Sequence, residues 1–124
     1  MSKSKILIVE DDRLLLEGMV YTFEQSNFVV KTATTTNNAF FILKKFIPEI
    51  IILDILLPQK DGFQFLSELK NNLKYKNIPV LVASNLDQPK DKQTAMKLGA
   101  IDYIVKNNIS LQDLTKIVIN LLSV

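Results

Sequence analysis

Polar side chains able to do chemistry stand directly after four apolar runs of this chain. They comprise Glu10, Asp11, Asp12, Asp54, Ser84 and Lys106. If the runs are parallel strands of one sheet, their carboxyl ends meet at one edge of that sheet. The sequence therefore predicts a shallow pocket that contains carboxylates, a hydroxyl and an ammonium group.

This set of groups indicates phosphoryl chemistry. Carboxylates a few ångströms apart repel one another and raise each other's pKa. A hard cation relieves the repulsion, and Mg²⁺ takes oxygen ligands while keeping several waters. A carboxylate oxygen can then attack phosphorus while the metal and the lysine neutralise the other phosphoryl oxygens.

The composition excludes several other chemistries. The 124 residues include no cysteine and no histidine, so thiolate and imidazole catalysis and metal ligation are ruled out for this chain. The formal net charge is +2, from 15 basic and 13 acidic residues, and gives no electrostatic argument for a nucleic-acid partner. No apolar run approaches the roughly 18 residues that span a bilayer. We therefore expect a cytoplasmic protein with no membrane partner.

The elements that must position these groups alternate along the chain. Strands are predicted at residues 5–9, 28–30, 50–53, 80–83 and 103–105, and three of these runs are continuously apolar, as in a buried parallel sheet. Apolar residues at helical spacing predict helices at 13–26, 37–46, 63–73 and 89–98, and a last one that Ser110 opens. Asp11 or Asp12 is placed to cap the first helix.

Strands that alternate with helices favour βαβ units with right-handed crossovers. The predicted fold is α/β: a doubly wound five-stranded parallel sheet in a three-layer αβα sandwich. Residues 1–124 fit one domain of ordinary size.

Four segments, in order along nearly the whole chain, resemble the receiver domains of response regulators, in the chemotaxis-regulator-like superfamily. Residues 6–12, ILIVEDD, resemble the opening strand and acid cluster. Residues 54–62, DILLPQKDG, resemble the phosphoacceptor signature D-x-x-L-P-x-x-D-G. Residues 79–84, PVLVAS, and 99–106, GAIDYIVK, resemble the segments that end in the switch hydroxyl and in the lysine. The resemblance implies the flavodoxin-like strand order 2-1-3-4-5.

The resemblance also implies an acceptor and a metal site. Asp54 would be the phosphoacceptor. Mg²⁺ would be held by Asp54, by Asp11 directly, by Glu10 directly or through water, and by the backbone carbonyl of Leu56.

Other residues would support the transfer and the switch. Lys106 would pair with Asp54 and then with the phosphoryl group. Ser84 would hydrogen-bond a phosphoryl oxygen, and Tyr103 would be the aromatic residue that moves with it. Asp61 and Gly62 are expected to form a turn and a helix cap and to take no part in the chemistry.

Two positions differ from the family pattern. Asn107 stands where a proline usually follows the lysine, and Asn85 stands where a small residue usually follows the hydroxyl. We expect a trans Lys106–Asn107 peptide bond, because a non-prolyl cis bond costs about 2.5–4 kcal/mol. Asn85 adds bulk and hydrogen-bonding capacity beside the phosphoryl site.

Two leucines are expected to prolong the phosphorylated state. By family alignment, Leu56 and Leu86 flank the approach of the hydrolytic water to the phosphoaspartate. Neither side chain can orient a water, so we expect slow hydrolysis unless both leucines point away and cover the rim of the core.

The resemblance implies a phosphorylation switch that promotes its own phosphotransfer and dephosphorylation and is not a classical enzyme. A sensor histidine kinase or a histidine phosphotransfer protein would donate the phosphoryl group. A downstream protein or an output domain would read the face built from the fourth helix, fifth strand and fifth helix. The protein would be a monomer or a phosphorylation-dependent dimer.

Two other functions are open to the same fold. One is a pseudo-receiver that acts as a phosphorylation-independent interaction module, and the complete set of acids, hydroxyl and lysine argues against it. The other is a phosphoaspartate hydrolase, for which the sequence shows no evident substrate pocket. This chain contains no output domain, so we expect either a stand-alone receiver or one excised from a longer protein.

Overall fold

A computed structural model describes residues 3–57 and 61–123. Its five strands are β1 (Ser4–Val9), β2 (Phe28–Ala33), β3 (Ile50–Leu53), β4 (Val80–Ser84) and β5 (Asp102–Val105). They are parallel and lie in the order β2-β1-β3-β4-β5, which confirms the order that the resemblance implied. Pro58, Gln59 and Lys60, in the middle of the predicted phosphoacceptor signature, lie outside the described residues.

Helices fill the intervals between the strands. They are α1 (Arg13–Gln25), α2 (Thr36–Leu43), α3 (Gly62–Lys70), α4 (Pro89–Lys97) and α5 (Leu111–Leu122), with a short 3-10 turn at Lys106–Asn108. Within residues 3–57 and 61–123, none of these helices has the length and apolar character needed to cross a membrane.

The core has two layers, one on each face of the sheet. Because side chains alternate along a strand, Ile6 and Ile8 face α1 and α5, whereas Leu7 and Val9 face α2, α3 and α4. Phe23 and Phe65 are the largest side chains that are fully buried, Phe23 in the first layer and Phe65 in the second. This arrangement confirms the predicted αβα sandwich.

Short polar side chains begin the helices, as the sequence predicted. The Asp12 carboxylate accepts a hydrogen bond from the Leu15 N–H (3.2 Å), and the Asp61 carboxylate accepts one from the Phe63 N–H (2.9 Å). The Ser110 hydroxyl likewise accepts from a backbone N–H in the first turn of α5. Each bond satisfies an N–H group that has no partner within its own helix.

Several predicted boundaries were wrong by a few residues. The strand predicted at 28–30 continues to Ala33, because its residues pair with β1 along the whole length of that strand. The helix predicted at 37–46 spans Thr36–Leu43, because the Thr35 hydroxyl caps it by accepting from the Asn38 N–H (3.1 Å). The helix predicted at 63–73 ends at Lys70.

Gly62 lies against the backbone of the loop that follows β3. Its N–H donates to the Ile55 carbonyl (3.1 Å), and a Cβ added at Gly62 would stand 2.5 Å from the Ile55 Cα. Only a residue without a side chain fits there, so α3 can begin directly beside the residue that follows Asp54.

Candidate functional site

The sheet register brings the ends of β1 and β3 together. Val9 pairs with Leu53, and the Asp54 N–H donates to the Val9 carbonyl (3.0 Å). The backbone therefore places Asp54 beside Glu10, as the sequence predicted for adjacent parallel strands.

Three carboxylates gather at this edge of the sheet. One carboxylate oxygen from each of Glu10, Asp11 and Asp54 lies within 4.8 Å of the other two. Glu10 is 2% exposed and Asp54 is 4% exposed, whereas Asp11 is open to solvent. Burial raises the pKa of Glu10, and the nearby charge of Asp54 adds to that effect, although hydrogen bonds from Lys106 and from the Asp12 N–H oppose it.

Lys106 joins two of these carboxylates. Its Nζ lies 2.8 Å from Oε1 of Glu10 and 2.8 Å from Oδ2 of Asp54. Burial alone would lower the pKa of Lys106, but the hydrogen bonds to Asp54 and Glu10 raise it above its ordinary value. The group therefore stays an ammonium ion. The bond to Asp54 was expected, whereas the bond to Glu10 was not.

Backbone N–H groups hold the remaining oxygens of the two buried acids. Oδ1 of Asp54 accepts from the Leu56 N–H (3.0 Å), and Oε2 of Glu10 accepts from the Asp12 N–H (3.1 Å). The exposed Asp11 carboxylate has no hydrogen bond to any residue within 3–57 or 61–123. Two acids are thus fixed in direction, and the third is free to meet a ligand from solvent.

The hydroxyl side of the site is formed by β4 and β5. Ser84 is fully buried, and its Oγ accepts from the Leu86 N–H (3.3 Å). Tyr103 is turned inward, with 7% of its surface exposed, and its hydroxyl donates to the Leu86 carbonyl (2.7 Å). Burial raises the pKa of Tyr103, and the nearby Ser84 hydroxyl opposes that effect.

The two departures from the family pattern contact each other. The Asn107 N–H donates to Oδ1 of Asn85 at 3.1 Å. The described residues include no cis peptide bond. The Lys106–Asn107 bond is therefore trans, as predicted. No sequence pattern indicates this contact, because its two residues lie 22 positions apart in separate loops.

The acid cluster fits a divalent cation. Among residues 3–57 and 61–123, the ion pairs of the three carboxylates Glu10, Asp11 and Asp54 involve one ammonium group, that of Lys106. All the available ligand atoms of these acids are oxygens, which suit Mg²⁺ better than a softer metal. The Leu56 carbonyl remains a predicted ligand.

Comparison with known proteins places the chain in a family. The family described as "Response regulator receiver domain" matches residues 6–119, and the chain belongs to it. Proteins of this family are signalling switches of two-component systems and bind Mg²⁺ at an acidic cluster of this kind.

Particular relatives agree with this assignment. The response regulator protein GraR of Staphylococcus epidermidis is 36% identical over 102 residues, which are 82% of this chain and 44% of that relative. This chain therefore spans less than half the length of that curated relative. The structure of a putative response regulator from Chloroflexus aurantiacus superposes with a TM-score of 0.90 at 26% identity, over 99% of this chain and 100% of that one. The Mn²⁺-bound form of response regulator Rcp1 superposes with a TM-score of 0.79 at 27% identity, over 93% and 88% of the two chains.

Proposed function

We propose that the protein is a phosphorylation switch whose phosphoacceptor is Asp54. The observation that carries the proposal is the setting of this carboxylate. It is buried, it lies between the Lys106 ammonium and the Leu56 N–H, and it is one of three clustered acids. A buried acid held by two donors is aimed in one direction, which is what a positioned nucleophile requires.

The proposed reaction moves one phosphoryl group. An oxygen of the Asp54 carboxylate forms a bond to phosphorus, and the phosphorus–nitrogen bond of a phosphohistidine breaks. The leaving imidazole nitrogen keeps the electron pair of that bond. The 124 residues contain no histidine, so the donor histidine lies outside them, and a sensor histidine kinase or a histidine phosphotransfer protein is proposed to carry it.

Mg²⁺ is the proposed cofactor, with Glu10, Asp11, Asp54 and the Leu56 carbonyl as its ligands. When bound, Mg²⁺ would supply positive charge to the carboxylates and to the phosphoryl oxygens. The clustered acids support this assignment. The similarity to the Mn²⁺-bound form of Rcp1 is compatible with it.

Lys106 and Ser84 are proposed to contact the phosphoryl group once it is bound to Asp54. Lys106 neutralises Asp54 before transfer and then pairs with a phosphoryl oxygen. The Ser84 hydroxyl donates a hydrogen bond to another phosphoryl oxygen. Its Oγ now accepts from Leu86, so this new bond alters the loop that Tyr103 also contacts. The change would then reach the face formed by α4, β5 and α5, where an output domain or a downstream protein reads it.

A pseudo-receiver that binds a partner without phosphorylation is the alternative. Nothing in the site favours it, because the buried acids contact the lysine and Ser84 ends the neighbouring strand β4. We also propose that the protein is cytoplasmic and that residues 1–124 form a single receiver domain.

The test is incubation with acetyl phosphate and Mg²⁺, followed by intact mass measurement. We expect the mass to increase by one phosphoryl group in the wild type and not in Asp54→Asn. The control is Asp87→Asn, which changes an exposed acid outside the cluster and should leave labelling intact. Equal labelling of Asp54→Asn and the wild type would refute the assignment.

A further inference from the structure

The two central loops of the site are joined by one side chain. Strands β4 and β5 end side by side, with Ser84 paired to Val105. The residues that follow, Asn85 and Lys106, leave the sheet. One further hydrogen bond joins the two segments beyond the ends of the strands: Oδ1 of Asn85 accepts from the Asn107 N–H at 3.1 Å.

This hydrogen bond caps a turn that has no cap of its own. Asn107 is the second residue of the 3-10 turn Lys106–Asn108, and the first N–H groups of such a turn have no partner within it. The residue before the turn, Val105, offers no capping side chain. An Asn at the start of a helix usually caps the N–H groups of that same helix. Asn85 instead caps the turn from the loop that follows β4.

The first residue of the capped turn is Lys106. Its long stem ends in an ammonium group that lies 2.8 Å from both Glu10 and Asp54. A lysine stem has many rotamers, so the aim of Nζ depends on how firmly the backbone at its base is held. The bond to Asn107 fixes the backbone one residue beyond that base.

We propose that Asn85 is a positioning residue for Lys106. Its amide oxygen holds the Asn107 N–H, keeps the 3-10 turn beside the end of β4, and so directs the ammonium group at Asp54. Since Asn85 directly follows Ser84, the same bond keeps the hydroxyl and the lysine at a constant separation. The inference deepens the proposed function and rests on it wherever phosphorylation is the measurement.

The bond itself is tested by hydrogen exchange of the Asn107 amide, measured by NMR. Asn85→Ala removes the acceptor, and we expect the Asn107 amide to exchange about three- to tenfold faster. Asn85→Asp keeps an oxygen at the same place and should retain the protection. Asn108→Ala is the matched control, because it changes an asparagine of the same turn whose side chain bonds to no described residue. Equal exchange in Asn85→Ala and the wild type would overturn the proposal.

The positioning role is tested by labelling with acetyl phosphate over a range of donor and Mg²⁺ concentrations. We expect Asn85→Ala to lower the maximal labelling rate about three- to tenfold, with the half-saturating Mg²⁺ concentration unchanged, because Lys106 is not a metal ligand. Asn108→Ala should label like the wild type. In a Lys106→Gln background, Asn85→Ala should cause no further loss, because a residue that acts through Lys106 has nothing left to position.

The outcomes separate the inference from the proposed function. A wild type that takes up no phosphate contradicts the proposed function. In that case the NMR resonance of the Lys106 ammonium group tests the positioning role: a shift in Asn85→Ala supports the role, and an unchanged resonance overturns it. A wild type that is labelled, together with an Asn85→Ala variant that labels at the same rate, overturns the positioning role alone. The same fold-loss on both Lys106 backgrounds would also overturn it, because Asn85 would then act independently of the lysine.

Discussion

The hydroxyl of Tyr103 donates a hydrogen bond to the backbone carbonyl of Leu86, at a distance of 2.7 Å. The two residues are 17 positions apart and belong to β5 and to the loop that follows β4. This bond ties the aromatic ring of the proposed switch to the loop that directly follows Ser84. The inward position of the ring is thus held by a specific contact in addition to burial.

Removal of this bond should destabilise the described conformation. We expect Tyr103→Phe to lower the free energy of unfolding by about 0.5–1.5 kcal/mol, the usual contribution of one hydrogen bond. Urea titration followed by circular dichroism measures the change. Tyr21→Phe is the control, because Tyr21 is 67% exposed and its loss of a hydroxyl should have no effect. Equal stability of the two variants would show that the Leu86 contact contributes nothing.

The stabilising effect of Tyr103 should depend on pH in the alkaline range. Burial raises the pKa of Tyr103 in the folded protein above its ordinary value of 10.0. Because the folded state holds this proton more tightly than the unfolded state, the contribution is complete below the unfolded pKa. It is lost as the pH rises through the folded pKa. The stability gap between the wild type and Tyr103→Phe should therefore be constant up to about pH 10 and should narrow above it.

Asp11 should affect stability in opposite directions without and with Mg²⁺. Without metal, Asp11→Asn removes one of three repelling carboxylates, so we expect a gain of about 0.5–1 kcal/mol in the free energy of unfolding. With Mg²⁺ at ten times its dissociation constant, the wild type should gain about 1.4 kcal/mol and the variant less. Thermal unfolding with EDTA and with Mg²⁺ measures both effects. An unchanged Mg²⁺ affinity in Asp11→Asn would contradict the metal assignment.

Gly62 should tolerate no side chain. A methyl group there would stand 2.5 Å from the Ile55 Cα and 2.8 Å from its carbonyl oxygen, and backbone cannot rotate away. We expect Gly62→Ala to cost about 2–4 kcal/mol and to slow labelling, because the residue after Asp54 must move. In Gly18→Ala the new methyl would meet only the end of the flexible Leu111 side chain, at 3.0 Å, and the loss should be smaller. A similar loss in both variants would contradict the backbone clash.

The lifetime of the phosphorylated state is expected to depend more on Leu56 than on Leu86. Leu56 is 52% exposed, whereas Leu86 is half-buried and packs on the core layer that faces α2, α3 and α4. Leu56→Asn places a polar group where it can orient water, and we expect phosphate loss to speed up by as much as about tenfold. Leu86→Glu should speed it further but also cost stability.

The measurement for this prediction is the loss of phosphate after removal of the donor. Leu73→Asn is the control, because Leu73 is 84% exposed and lies beyond the end of α3. A Leu56→Asn, Leu86→Glu double variant that loses phosphate no faster than the wild type would refute the shielding role.

The fold and the composition of the site could be predicted because both follow from local pattern. Each strand is a short apolar run, and the residue after it falls at the same edge of a parallel sheet. Glu10, Asp54, Ser84 and Lys106 were therefore predicted to meet from their positions alone. The strand order came from the resemblance, since periodicity does not determine which strands are neighbours.

The contacts inside the site could not be predicted because they depend on side-chain reach and loop geometry. Nothing in the sequence indicates that Lys106 contacts Glu10 as well as Asp54, or that Asn85 caps a turn in another loop. Thr35 as a helix cap was missed for a similar reason. It lies in a threonine-rich turn in which three neighbouring residues could serve equally well.

The lysine of the site is 96 residues from Glu10 and 52 residues from Asp54 along the chain. A chain that has lost its first or its last strand, by proteolysis or by incomplete synthesis, has no complete acceptor site. If Asp54 is the acceptor as proposed, phosphate uptake would report on intact, fully folded molecules, and the labelled fraction of a heated or aged sample should fall together with its native fraction. In a cell, the same property would exclude damaged copies from signalling before any protease removes them.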